Sequence, residues 1–564
     1  METSVMERQP GAAAAVGLAP RPQKLRARRW IAVLLPAVML CASMLVFGVR
    51  YGTNDDAVIS NLAAGAFGPD RVHLVYVNIL LGWLLRPLYA LYGGLNWYMI
   101  LQMALTALCC GVMLWLLMGR LGTAHGAAVF FAAALPFVPV LFYSIQYVKT
   151  SALCAAAGLL LVTASFDRPD RRTVLGTFLV WMGAMLRWDM FCAAGGLFAA
   201  VLLGRFFRME KAEKRRAAVT VSLLLLLIFA SKGIDLLAYR LDEDWNTFTR
   251  YNAARTEWSD FKAYQMPQEN PFEAEGISDT DLHMLLTWNF YDGEVFPTER
   301  LWQLADAIPG VPLSEAVKRT LWYGFDLLHG EACRYVLALI ILLGVFFLRF
   351  RVHSLAFWGT GALLGLEIFY LNLRGRFPYY VETALLFCAV PAFCAALAQG
   401  SWRAKPDRRL CAVCLAGLVL CAGASLRTLW TESQYYHETR TDTAFSGYEQ
   451  MSADKEHLYL LPVEFFDPGM GYDVWHARPE GFFSNIVFYG GWLSHAPFCE
   501  ETLAAYGVDQ PLTGAVDNEA VFVGVNHLFS VEKYASEHVG HRVEAVKSGE
   551  IPPAYYQLRT ADGP

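Results

Sequence analysis

The chain has 564 residues, of which 55% are apolar, 17% charged and 14% aromatic, and its mean hydropathy is +0.34. Soluble domains carry about 25% charge, so this chain lacks the charged side chains to cover a water-facing surface and reads as an integral membrane protein. Its apolar content excludes disorder, and a net charge of −5 gives no support to a nucleic-acid partner. Most of the twelve cysteines lie in apolar runs, where they act as small hydrophobes, and Cys411-x-x-Cys414 has no second pair or histidine near it to complete a metal site.

A membrane span needs about 20 mainly apolar residues. Runs at 30–50, 96–118, 217–237, 334–349 and 410–427 meet this requirement directly. Shorter or paired runs at 125–142, 148–165, 173–190, 191–207, 354–371 and 380–398 read as spans joined by tight turns. The expected fold class is therefore an all-α polytopic membrane protein with about eleven transmembrane helices between 30 and 427. Basic residues fix the orientation: Arg21 to Arg29, Arg120, Arg168 to Arg172, Arg205 to Arg216, Arg349 with Arg351, and Arg403 to Arg409 fall on one side if the N-terminus is cytoplasmic. That places the protein in the cell membrane with its C-terminus extracytoplasmic.

Residues 1–29 read as a disordered cytoplasmic basic tail and not as a cleaved signal, because the 30–50 run is of full membrane length and lacks a clear cleavage site. Residues 72–92 are apolar enough to span, but they contain Arg86 and Pro87, and counting them would move every later basic loop outside. The segment 51–95 is therefore expected to be an outer loop with helices on the membrane surface. A second outer region, 238–333, suits short amphipathic helices at 280–290 and 311–327. After 428, strand-like stretches at 457–463, 520–525, 541–546 and 554–560 with a helix-like 530–539 suggest an extracytoplasmic α/β domain over 428–564.

The sharpest motif is Tyr51-Gly-Thr-Asn-Asp-Asp56, directly after the first span. With Gly52 allowing a turn, either Asp55 or Asp56 can stand at the membrane mouth as a base, while the plainer reading is that Asn54 or Asp55 caps a helix starting at Ala57. The same loop continues with Asn61, His73, Tyr76 and Asn78. An acidic pair after span one, followed by a two-helix outer loop with a His/Tyr/Asn cluster, resembles the GT-C superfamily of membrane glycosyltransferases, which includes the protein O-mannosyltransferases, the aminoarabinose transferases of lipid A and the oligosaccharyltransferases. The resemblance implies a GT-C-like domain over 30–427, a polyprenyl-phosphate sugar as donor, and transfer to an envelope glycan, lipid or protein acceptor with inversion. It also implies that one carboxylate of the pair acts on the acceptor, and Asp55 is favoured because members with this form of motif generally use the first.

A lipid-linked donor brings a phosphate to the outer membrane level, and polar groups sit there: Lys149, Arg187, Arg376 and Tyr380, with Arg374 beside them. These outer cations break the positive-inside trend, although each taken singly fits ordinary snorkelling. His73 and Tyr76 in the first loop, with Asn252, Arg255 and Asp260 in the second, are the candidates for contact with acceptor or sugar, against the alternative of a folded loop with an aromatic belt. No tight metal constellation is present, and a divalent cation bridging Asp56 to a phosphate is left open. Two further readings remain: an envelope polysaccharide polymerase or ligase, and a transporter or flippase. The transporter reading is disfavoured by the absence of duplicated halves and by internal charges (Glu367, Lys232, Asp235) that sit toward the outer ends of their spans. Membrane lipids are partners on any of these readings.

Overall fold

Hydrocarbon offers no partners to backbone amides, so a chain this apolar crosses a bilayer as helices. The computed structural model describes residues 22–329 apart from 268, 354–399, 408–439, 442–549 apart from 464, 466–473 and 526, and 554–561, with isolated positions between 337 and 344. Helix α1 (Pro22–Phe47) starts inside the stretch expected to be a tail and leads into β1 (Arg50–Tyr51). Helices α2 (Asn54–Ala64) and α3 (Ile79–Leu91) precede α4 (Trp97–Leu121). Helix α5 (Thr123–Ala134) continues through a 3-10 and a π turn to β2 (Ser144–Ile145). Helices α6 (Tyr147–Ser165), α7 (Arg171–Leu186), α8 (Trp188–Phe206) and α9 (Lys211–Leu241) follow. The long loop region contains α10 (Glu243–Arg255), α11 (Asp279–Leu286), α12 (Thr298–Ala307) and α13 (Leu313–His329). The bundle closes with α14 (Ser354–Arg374), α15 (Tyr379–Ala398) and α16 (Arg408–Thr439).

Eight of these helices, α1, α4, α6, α8, α9, α14, α15 and α16, are long and apolar enough to cross a membrane, and the protein is a multi-pass membrane protein. Helices α5 and α7 are shorter and pack among them. The expected span 334–349 lies largely outside the described residues; every other expected span overlaps a helix, although 125–142 is divided between α5 and the 3-10 and π turns after it, and 173–190 runs across the break between α7 and α8. Small residues let the central pair close up: a Cβ on Gly158 of α6 would lie 2.6 Å from the Gly176 carbonyl of α7.

Strands β1 and β2 pair in parallel, Arg50 with Ser144 and Tyr51 with Ile145, so the chain leaves α1 and the α5 segment on the same side, as the span count requires. Gly52 proves to serve this approach and not a turn. Its N–H donates to Ile145 O at 2.6 Å, and a Cβ there would meet Ser144 Oγ at 2.8 Å. Helix α3, with 13 residues, is about 20 Å long, too short for a core of about 30 Å. It buries Leu81, Leu85 and Tyr89 and exposes Trp83, Leu84 and Leu91. Asn78 caps it, and the Ile79 N–H donates at 2.9 Å to Asp235, which also takes Lys232 at 2.8 Å. The Lys232–Asp235 pair therefore anchors this helix.

Helix α16 runs unbroken through 428, the expected domain boundary, to Thr439. Beyond it come α17 (Asp442–Ala453), β3 (Leu458–Leu461), β4 (Ile486–Phe488), α18 (Pro497–Ala505), β5 (Val521–Gly524), α19 (Leu528–Val539), β6 (Val543–Gly549) and β7 (Tyr555–Thr560). The five strands form one mixed sheet in the order β4-β3-β5-β7-β6. Strand β3 is parallel to both β4 and β5, while β7 is antiparallel to β5 and β6. This unit docks by backbone pairing on the loops: Asn96 N–H to Trp475 O at 2.8 Å, Phe483 N–H to Ala66 O at 2.7 Å and Gly491 N–H to Trp288 O at 2.8 Å. A Cβ on Gly490 would sit 1.9 Å from the Trp288 carbonyl, so only glycine permits the last contact.

A charged clamp completes the docking. His538 Nε2 of α19 lies 2.7 Å from Asp281 Oδ1 of α11. Asp281 raises the His538 ring above its ordinary 6.5. Burial pushes the Asp281 carboxyl up, but the bonds from His538 and Ser278 outweigh it and hold it below the usual carboxylate range. The His538 contribution is thus present below about pH 6.5 and is lost as pH rises through the raised value, whereas that of Asp281 is lost only as pH falls through the lowered one. Hydrogen exchange at 278–281 should accelerate as pH is raised above neutrality, after correction for intrinsic rates, and this acceleration should vanish in His538→Gln. An identical pH profile in the two proteins would contradict the clamp.

Candidate active site

Helix α2 begins at Asn54, with Thr53 in extended conformation before it, so Asp55 and Asp56 occupy its first turn, where the helix dipole favours negative charge. The plain capping reading therefore misplaces the helix start by three residues. Successive helical residues point about 100° apart, and the pair is split by this rotation.

Asp56 turns into the bundle and is fully buried. Its Oδ1 accepts from Gln102 Nε2 at 2.9 Å, the Tyr147 N–H at 3.0 Å and the Tyr98 hydroxyl at 3.2 Å, and its Oδ2 accepts from Thr53 Oγ1 at 3.2 Å. One side chain thereby ties α2 to α4 and α6. Burial pushes its carboxyl up to about 7 in spite of the Gln102 and Tyr147 donors, which favour the charged form.

Asp55 turns the other way and lines a cavity of about 350 Å³. It accepts no hydrogen bond from the described residues. Burial raises its carboxyl above the usual range, with Arg187 foremost among the cations that oppose the rise. Arg187, Arg255 and Arg376 line the same cavity with Asp260, Tyr76, Tyr147 and Tyr380. These side chains come from five separate parts of the chain.

The three arginines differ in how many donors they have left. Arg255 is 1% exposed. It donates to Asn252 Oδ1 at 2.6 Å, Thr256 Oγ1 at 2.8 Å and the Tyr76 hydroxyl at 3.0 Å, and it lies 3.6 Å from Asp260. The contact with Asp260 depends on the π-helical stretch Thr256–Lys262, because residues five apart diverge on an α-helix and come together on a π turn. Among the described residues, Arg376 pairs with Asp260 alone. Arg187 pairs with the exposed Asp189 at 3.0 Å and donates to the Tyr147 hydroxyl at 3.3 Å. Arg187 and Arg376 therefore keep donors free for an anion.

The structure thus brings together Asp55, Tyr76, Arg187, Arg255, Asp260, Arg376 and Tyr380, with Asn252 behind Arg255. It separates the remaining candidates from the cavity. Lys149 is buried under β2, donating to Ser144 O at 2.6 Å. The His73 ring lies 2.6 Å from Asp70 Oδ2 and stacks on Trp245 with centroids 4.5 Å apart. Arg374 is engaged by Glu257 at 2.7 Å and lies over Phe261. The residues that sequence reasoning missed are the roof: Val463, Gly491 and Trp492 come from the C-terminal unit. The Gly490-Gly491-Trp492 run was the available signal.

A divalent cation bridging Asp56 to a phosphate does not fit, because Asp56 faces away from the cavity with its oxygens engaged. Among the described residues, no three His, Cys, Asp or Glu side chains converge on a common point.

Asparagine can replace the buried carboxylate, its oxygen keeping the three donors and its amide turning to Thr53 Oγ1. Asp56→Asn should therefore retain the wild-type thermal unfolding profile in detergent, whereas Asp56→Ala should be destabilised by about 1–3 kcal/mol for each donor left buried and unpaired. Equal loss in both variants would contradict this geometry.

No protein-family model and no curated protein matches the chain. Among solved structures, it is similar to the crystal structure of ArnT from Cupriavidus metallidurans bound to undecaprenyl phosphate. The identity is 12% and the TM-score 0.40, over 95% of this chain and 98% of that one. At that level of likeness, the fold and the site of this chain rest on its own geometry.

Proposed function

We propose that the chain is a membrane glycosyltransferase that takes a sugar from a polyprenyl-phosphate donor and transfers it, with inversion, to an envelope glycan, lipid or protein acceptor at the outer face of the cell membrane. The observation that carries this reading is Asp55, a carboxylate without a hydrogen-bond partner among the described residues, held opposite free guanidinium donors at the end of a membrane bundle. Orientation follows from charge: Arg120, Arg171, Arg205 and Arg215 cluster at the helix ends away from this cavity, which the positive-inside trend assigns to the cytoplasm together with the N-terminus. The C-terminal unit then lies outside, as a cover over the site.

In the reaction, the acceptor hydroxyl gives its proton to Asp55 as its oxygen attacks the anomeric carbon. The bond from that carbon to the phosphate oxygen breaks on the opposite side, and its electron pair stays with the phosphate. Arg187 and Arg376 meet the charge that grows there. A single base without a covalent intermediate inverts the configuration. Arg255, fixed by Asn252 and Asp260, positions the Tyr76 hydroxyl, and the faces of Trp288 and Trp492 suit the CH-rich side of a sugar ring.

Asp55→Asn should lower turnover of a short-chain polyprenyl-phosphate sugar by about 10² to 10⁴ fold, while Asp56→Asn stays within a few fold of wild type. Because the Asp55 carboxyl is raised, kcat/KM of the wild type should fall with decreasing pH through a value above the ordinary 3.8. Arg187→Ala and Arg376→Ala should each weaken donor use by about 1.5–3 kcal/mol, and Arg374→Ala should have little effect. Full activity of Asp55→Asn would remove the proposed base, and failure to bind any lipid of this class would favour a polymer ligase acting on other substrates.

A further inference from the structure

Inside the bundle, and reaching to its end opposite Asp55, helices α4, α5, α6, α8 and α15 surround a second cavity of about 250 Å³. It runs along α15 from Leu386 to Gln399, about 20 Å at the helical rise and roughly two thirds of a bilayer's hydrocarbon core. A cavity of about 150 Å³ admits a benzene ring, so this volume admits roughly ten carbons, one chain's width and not two. Along most of its length the wall is apolar, with Leu153, Leu160 and Pro391 among the side chains.

The far end is different in kind. Arg120, Thr163, Arg205 and Gln399 line it. Thr163 is 6% exposed, and its hydroxyl finds no partner. A helical hydroxyl ordinarily returns to a carbonyl one turn back, as Ser165 does to Leu161 O at 2.8 Å. Gln399 Nε2 donates to Val201 O at 2.7 Å, while its Oε1 is buried without a partner. Arg205 is engaged by Asp167 at 2.7 Å. Arg120 makes no ion pair with any described residue.

We propose that this cavity holds one acyl chain of an anionic phospholipid drawn from the leaflet opposite the carboxylate site, with the lipid phosphate accepting from Arg120 and the Thr163 hydroxyl. The apolar wall supplies affinity for the chain, and the free hydroxyl and guanidinium supply preference for an anionic head. A polyprenyl-phosphate donor serving the Asp55 cavity would carry its phosphate at the other end of the bundle, so the two lipids differ in the end at which the head is held. The assignment does not depend on the proposed reaction.

The test is native mass spectrometry of the full chain after exchange into bilayer discs containing equal amounts of phosphatidylglycerol and phosphatidylethanolamine with the same acyl chains. One phosphatidylglycerol should remain bound per chain in preference to the neutral-headed lipid. Arg120→Gln, an exposed change without risk to the fold, should reduce that preference about fivefold, the weight of one arginine at an anionic surface. Ala395→Phe, which fills the cavity from its wall, should abolish retention while unfolding stays cooperative. If that variant does not fold, Ala133→Phe blocks the opposite wall. Equal retention of the two lipids, or retention unchanged in both Arg120→Gln and the filled variant, would overturn the proposal. So would retention of a polyprenyl phosphate that the filled variant loses, since that would make the cavity the seat of the donor's tail.

Discussion

The arrangement of the site depends on one buried carboxylate. Asp56 must have its oxygens satisfied, since a bare charge in this interior would cost several kcal/mol, and the groups that satisfy it belong to α4 and to the start of α6 as well as to its own loop. Once those three elements converge on Asp56, the rotation per residue of α2 leaves Asp55 only one direction in which to point. The parallel contact of β1 with β2 and the close approach at Gly52 are the backbone counterpart of the same constraint. The motif therefore joins two unlike roles, a structural tie and an open acid, in adjacent residues.

Around Asp55 the charges are deliberately unequal. Three guanidiniums and two carboxylates line the cavity, and a third carboxylate, Asp189, pairs with Arg187 from an exposed position outside the lining, so the lining itself suits a ligand that brings negative charge. Asp260 draws on both Arg255 and Arg376, yet Arg255 is also held by Asn252, Thr256 and Tyr76, while Arg376 has a single partner among the described residues. The roof from the C-terminal unit narrows the opening with Trp492 and is itself held by the Gly490 contact and the His538–Asp281 pair. Closure of the cavity and docking of that unit are thus physically coupled.

Much of the membrane domain was legible in the sequence, because spans of apolar residues and the sign of the loops between them are dictated by the bilayer. That 72–92 does not form a full span could be read from Arg86 and Pro87, and four of the five C-terminal strands from their β-branched and aromatic runs. Strand β4, three residues long, is too short to show a period. The split of Asp55 from Asp56 was not readable, because it depends on where α2 starts and on partners about 45 and 90 residues away. Nor was the fate of Lys149 and His73: each has the chemistry of a site residue, and each is consumed by local packing. The π turn that joins Arg255 to Asp260 leaves no simple signature in sequence, so Asn252, Arg255 and Asp260 could be named as candidates but not connected.

The central claim is that a lipid-linked phosphate enters the cavity opposite Asp55. It is tested most directly by a structure of the protein in a bilayer with a non-hydrolysable polyprenyl-phosphonate sugar. The account predicts phosphonate oxygens about 2.7–2.9 Å from the guanidinium nitrogens of Arg187 or Arg376, with the anomeric carbon between them and Asp55. Density for the head group at Lys149, at the opposite end of the bundle, or outside the roof formed by Trp492 would contradict it.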